Sequence, residues 1–141
     1  SKESLAERLP QAKRFDANKK SLVICEGVLV YLLEDDVRLM LRSIHELMGP
    51  GTQFLFTFLA TESPTDRQTY GPLLHTYLRL ASEELKFQIP ARADALQDFL
   101  SQENFDFETL AIGPELVKRY GVQGYKGPIH DLEVMASARA R

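Results

Sequence analysis

Between Leu22 and Leu32 the chain reads LVICEGVLVYL, an apolar run whose one charged residue is Glu26. An ionised carboxylate buried without a partner costs several kcal/mol in effective terms, so such a residue normally has something to bind. The β-favouring residues over 21–25 read as a buried strand of the parallel type. Gly27 then lets the backbone turn sharply, which puts Glu26 at the strand's carboxyl end, the edge where open α/β sheets hold their ligands. A carboxylate there suits the hydroxyls or amino group of a nucleoside cofactor. A buried glutamate satisfied by backbone N–H groups or an arginine is the competing reading, and the run alone leaves both open.

The residues after the run extend the pattern. Glu34, Asp35 and Asp36 put negative charge where a helix N-terminus favours it. Val37, Met40, Leu41, Ile44, Leu47 and Met48 then recur at helical spacing, predicting an amphipathic helix over 35–48 that Gly49-Pro50-Gly51 stops. Thr52–Leu59 (TQFLFTFL) reads as a second strand, and strand, helix, strand with short connections is a right-handed βαβ unit. Before the first strand lies an arm, 1–20, with a short helical piece at 5–9 and a turn at Phe15–Asn18. A polar stretch over 60–72 predicts a loop, and helical patterns follow at 73–84 and 93–102. The tail predicts a strand at 105–112, a helix at 114–120 and a last strand at 132–138. With 141 residues and no repeat or linker, a single domain over 1–141 fits.

A net charge of −3 gives no electrostatic footprint for nucleic acid or an anionic membrane. The lysines and arginines of the arm read as a solvated helical face. Cys25 is the only cysteine, so a disulfide within the chain is impossible; inside an apolar strand it reads as an inert buried thiol. The polar N-terminus does not resemble a signal peptide, and Val28–Leu33 is far too short to cross a bilayer, so cytoplasm is the expected compartment. Walker A, GxGxxG, HExxH, GxSxG and CxxC patterns are all absent. His45, Glu46 and His75 lack metal-ligand spacing, His130 and Asp131 are too close for a catalytic pair, and Arg119 and Tyr120 read as helix-end residues as readily as functional ones.

The segment EGVLVYL resembles the corresponding part of the leucine carboxyl methyltransferase family of S-adenosylmethionine (SAM)-dependent O-methyltransferases. That family shows a strand, then E-G/C-V-L-x-Y-L/M, an acidic helix start, an amphipathic helix, a glycine turn and an apolar strand. Glu26, Gly27, Val28, Leu29, Tyr31 and Leu32 stand in those places, followed by Glu34-Asp35-Asp36 and Gly49-Pro50-Gly51. Phe15-Asp16 and the Ala95–Phe105 segment are also similar to the family. The resemblance implies an α/β, Rossmann-like class I SAM-methyltransferase fold with sheet order 3-2-1-4-5-7-6. The strands of this chain would be four to seven, its C-terminal part, with the last strand antiparallel between five and six. Family features upstream of the motif, the glycine-rich SAM loop among them, have no counterpart here, since residues 1–20 contain no glycine.

By this resemblance Glu26 and Gly27 would contact the cofactor, S-adenosyl-L-methionine, and Tyr31 would border the methyl acceptor. Packing of Tyr31 at the start of the next helix is the other reading. Residues 60–92, with Tyr70, Tyr77 and Arg79, would form a lid-like insertion over a small-molecule or peptide substrate bearing a carboxylate or hydroxyl. An alternative of another class is a non-catalytic association module. Under either reading a block of strands four to seven would leave strand four as an apolar edge, and homodimerisation through 21–26 is expected.

Overall fold

The computed structural model describes residues 5–13, 15–60, 76, 86–121 and 133–141. In chain order the elements are helix α1 (Leu5–Arg8), strand β1 (Leu22–Cys25), helix α2 (Glu34–Met48), strand β2 (Gln53–Ala60) and strand β3 (Gln88–Ile89). Helix α3 (Ala93–Ser101), strand β4 (Phe105–Ala111), helix α4 (Gly113–Tyr120) and strand β5 (Glu133–Ala140) complete them. Short 3-10 turns occupy Leu9–Gln11, where Pro10 stands, and Leu29–Tyr31. Every strand and helix expected within the described residues forms, most within a residue or two of the expected bounds. Strand β3 was not expected, since two residues carry no alternation to betray them. The expected helix over 73–84 and most of the loop over 60–72 lie outside the described residues, while Ala60 belongs to β2.

Local chemistry explains the boundaries. Asp16 closes the turn before β1, its Oδ1 accepting from Asn18 N at 3.0 Å and its carbonyl from Lys19 N at 3.1 Å. The first turn of α2 carries Glu34, Asp35 and Asp36 against the positive helix end. Gly49 ends that helix at φ 69°, its N–H bonded to the His45 carbonyl at 3.0 Å, a conformation that favours glycine.

The sheet runs β1-β2-β5-β4, with β1 parallel to β2 and β5 antiparallel to both its neighbours. This is the order and direction that the resemblance implies. Along one face the register sets Phe54 opposite Ala138, Phe56 opposite Ala136 and Phe58 opposite Val134. Large rings on β2 thus meet small side chains on β5, and α2 and α3 close the core over them with Val37, Leu41, Ile44, Leu96 and Leu100. No helix among the described residues is long and apolar enough to cross a membrane.

Two buried-strand expectations need correction. In β1, Leu22 and Ile24 are 58% and 61% exposed, because among the described residues the strand is an edge and one of its faces has no helix over it. Cys25 on the other face is half-buried rather than buried. Burial still raises its thiol pKa, which keeps it protonated and unreactive.

One buried charge was not anticipated. Glu103, between α3 and β4, is 2% exposed and receives Arg42 Nε at 2.6 Å, Arg42 Nη2 at 3.1 Å and Arg38 Nη1 at 2.9 Å. Arg38 also holds Glu34 at 2.7 Å and lies 4.4 Å from the Phe99 ring centre. The fork thus ties α2 to the α3–β4 turn. The clue in the sequence is Arg38 and Arg42 at i, i+4 beside the apolar stripe of α2, two cations on one face with a single acidic helix start between them to share.

Candidate functional site

The carboxyl ends of β1 and β2 form one rim of the sheet. The last ladder pair between them is Cys25–Phe56, and β2 continues to Ala60. Leu59 pairs with Gln88 as well as with Glu133, so β3 takes over the side of β2 that β1 leaves. The chain between β1 and α2 fills the step: Gly27, then the turn Leu29–Tyr31, whose Val30 carbonyl accepts from Lys86 N at 2.8 Å and Phe87 N at 3.4 Å. Leu29 and Val30 are buried beneath it. The rim therefore rests on packed elements even though its outer surface faces solvent.

Glu26 stands immediately beyond β1 and is exposed. This overturns the expectation of a buried carboxylate. The ladder ends one residue before Glu26, so its side chain reaches water. Its candidacy rests on position instead, as an unburied acceptor at the carboxyl edge of a parallel pair. Gly27 adopts φ 66°, and its N–H donates to Thr57 Oγ1 at 2.8 Å. Thr57 is buried on β2, thirty positions later, and sequence reasoning missed it. The available signal was a hydroxyl within the apolar run FLFTFL, the same kind of anomaly that singled out Glu26.

A side chain at Gly27 would meet nothing within 4 Å, so only the backbone demands glycine there. Gly27→Ala is therefore expected to destabilise the protein by about 1 kcal/mol through left-handed strain, and Gly27→Asn by less. Urea midpoints compare the two; equal midpoints for wild type and Gly27→Ala would mean that the turn is not held in this conformation.

Tyr31 ends the 3-10 turn, 43% exposed, on the same connection as Glu26 and Gly27. Glu26, Gly27 and Tyr31 thus all lie on the one connection between β1 and α2, and all three are exposed. Tyr70, Tyr77 and Arg79 lie outside the described residues, as do His75, His130 and Asp131. His45 is not on the rim: its Nε2 lies 3.2 Å from the Arg141 carbonyl and its ring meets Phe105 edge-on at 6.3 Å, a packing role. Arg119 and Tyr120 stack on each other at the exposed end of α4, 5.9 Å apart. Among the described residues no three His, Cys, Asp or Glu side chains cluster in a way that could hold a metal ion.

Chemically, the connection after β1 offers a carboxylate that can accept from hydroxyl or amino groups, a glycine that lets a ligand approach the backbone, and an exposed tyrosine four residues beyond that glycine. No protein-family model matches the chain. No curated protein matches it either. Solved structures do. A DUF574 family protein from Streptomyces avermitilis superposes with a TM-score of 0.61 at 13% identity, over 90% of this chain and 47% of its own. TnmH gives 0.53 at 13% identity over 89% and 32%, and the mitomycin 7-O-methyltransferase MmcR 0.51 at 18% over 85% and 29%. The chain spans less than half the length of each. Identities this low speak to the fold alone, and that fold is the Rossmann-like one of class I SAM-dependent methyltransferases.

Proposed function

We propose that this chain carries the C-terminal part of a SAM-dependent O-methyltransferase domain, of the leucine carboxyl methyltransferase type, in which Glu26 and Gly27 face the cofactor. The observation that carries the reading is the place of Glu26 in this fold. An exposed carboxylate stands at the carboxyl rim of β1, on a turn anchored by the Gly27–Thr57 hydrogen bond. An ionised carboxylate accepts hydrogen bonds only, so vicinal hydroxyls or an ammonium suit it, and a nucleoside linked to an amino acid carries both. The residues present fit that part of the cofactor. Bound SAM would supply an electrophilic methyl group.

The chain's own residues then have a positioning task, since the displacement is in line and gains most from orientation. Tyr31, on the same turn, would border the acceptor. Tyr70, Tyr77 and Arg79 are assigned to substrate on the resemblance alone. A carboxylate acceptor of a small molecule or peptide is ionised near neutral pH and requires no general base.

Calorimetric titration with S-adenosylhomocysteine tests the reading. Wild type is expected to bind in the micromolar range, and Glu26→Ala at least about tenfold more weakly, the value of one or two charge-assisted hydrogen bonds. Because Glu26 is exposed, the variant should keep the wild-type circular dichroism spectrum and melting point. A folded wild type that releases no heat would overturn the assignment.

A further inference from the structure

We propose that Thr57 is a positioning residue for cofactor binding: from its place on β2, its hydroxyl fixes the Glu26–Gly27 peptide and so sets where the Glu26 carboxylate stands. The buried polar or charged side chains among the described residues are Thr52, Thr57 and Glu103. Thr52 Oγ1 donates to the Met48 carbonyl at 3.1 Å and so ties down the end of α2, and Glu103 holds two arginines. Of the three, Thr57 reaches the candidate site. It is 6% exposed, between Phe56 and Phe58, where valine would have the same shape and no polar group to satisfy. What the hydroxyl adds is an acceptor, and the Gly27 N–H occupies it at 2.8 Å.

Parallel strands bond each other through every second residue. Ser21 O accepts from Gln53 N at 2.9 Å, so positions 21, 23, 25 and 27 turn their backbone groups to β2. The next donor after the Cys25–Phe56 pair is therefore the Gly27 N–H, and its regular acceptor would be the Thr57 carbonyl. The Thr57 hydroxyl takes that N–H instead. The chain thereby leaves the sheet at Glu26 while staying bonded to it, and Gly27 turns at φ 66°. This N–H belongs to the peptide that joins Glu26 to Gly27. The bond therefore restricts ψ of Glu26, and with it the direction in which the side chain leaves the rim. Glu26 is exposed, and this bond ties its backbone to a buried strand. A carboxylate held in place loses less freedom when a ligand binds it.

The role rests on the reading of Glu26 as a cofactor contact. A group that acts through Glu26 cannot cost more affinity than Glu26 itself, so its loss is bounded by that of Glu26→Ala.

Calorimetric titration with S-adenosylhomocysteine separates this role from simple packing. Thr57→Val keeps the volume and removes the acceptor; Thr57→Ser keeps the acceptor and removes a methyl group. Both should lower the melting point. Thr57→Val is expected to bind about fivefold more weakly, and Thr57→Ser within about twofold of wild type. In the Glu26→Ala background, Thr57→Val should cost less than about twofold further, since the carboxylate it places is gone. If Thr57→Val does not fold, Thr57→Cys takes its place with the same expected order, a thiol being a weak acceptor of similar size. Affinities that follow the melting points, with Thr57→Ser as weak as Thr57→Val, would overturn the proposal. So would wild-type affinity in Thr57→Val, or an undiminished loss in the Glu26→Ala background. In each of those cases Glu26→Ala alone still weakens binding and the cofactor reading stands. A folded wild type that releases no heat overturns that reading, and the role of Thr57 with it.

Discussion

Phe58→Ala is expected to cost about 3–5 kcal/mol, the range for removing a buried aromatic ring and leaving a cavity. Phe58 is fully buried, tilted against Phe56 at 5.9 Å, and Phe56 in turn stacks on Phe54 at 4.8 Å. The cavity cannot collapse cheaply, because the side chains facing this row from β5 are Val134, Ala136 and Ala138, with no spare length to fill it. Against a typical stability of about 5–15 kcal/mol for a domain, such a loss moves the urea midpoint far toward zero. The fit also works in reverse: Ala138→Leu adds methylenes opposite Phe54 and should cost about 1–3 kcal/mol by overpacking. Leu39→Ala, at an exposed helix position, is the control. A Phe58→Ala midpoint no lower than that control would mean that the row of rings is not the centre of the core.

Glu103→Ala should be the next most damaging change, by about 2–3 kcal/mol. The loss falls short of that for a fully buried pair because Arg42 is more than half exposed and can be rehydrated. Arg38, at 18% exposure, keeps Glu34 alone as a charged partner among the described residues. The same cluster predicts a pH dependence. The hydrogen bond from Arg42, then that from Arg38, holds the Glu103 carboxyl below its ordinary pKa against the opposing effect of burial. With the folded pKa depressed below the unfolded value of about 4.3, the unfolded chain binds the proton more readily. Stability from this group is complete above that value and is lost as pH falls through the folded pKa. Melting temperatures between neutral pH and about pH 3 should therefore fall more steeply for wild type than for Glu103→Gln. Parallel curves would show that the carboxylate is not held by the arginines.

Of the three groups of the candidate site that the sequence singled out, Glu26, Gly27 and Tyr31, the first two were legible for different reasons. Gly27 is required by a positive φ where a strand turns at its end. Glu26 was noticed because a charge inside an apolar run looks costly, yet it proves exposed; it does stand at the end of the strand, but the energetic argument that drew attention to it fails. Thr57 escaped notice although it anchors the same turn, since a hydrogen bond across thirty positions leaves no local trace. Glu103 escaped likewise: a glutamate in SQENF looks like any solvated turn residue until α2 brings two guanidinium groups to it.

Periodicity and punctuation in the chain settle the elements and most of their ends, because a helix with an apolar stripe, an apolar strand and a glycine stop depend on neighbours within a few residues. The βαβ start and the alternation of large and small residues that later mesh across β2 and β5 are written at that range. Assembly decides the rest. Whether a β-favouring segment is central or an edge depends on what lies beside it, which is why Leu22 and Ile24, apolar as any core residue, end in solvent. The same holds for a charge. Glu26 and Glu103 are chemically identical in the sequence, and only the packing of distant elements leaves one at an open rim and buries the other between two arginines.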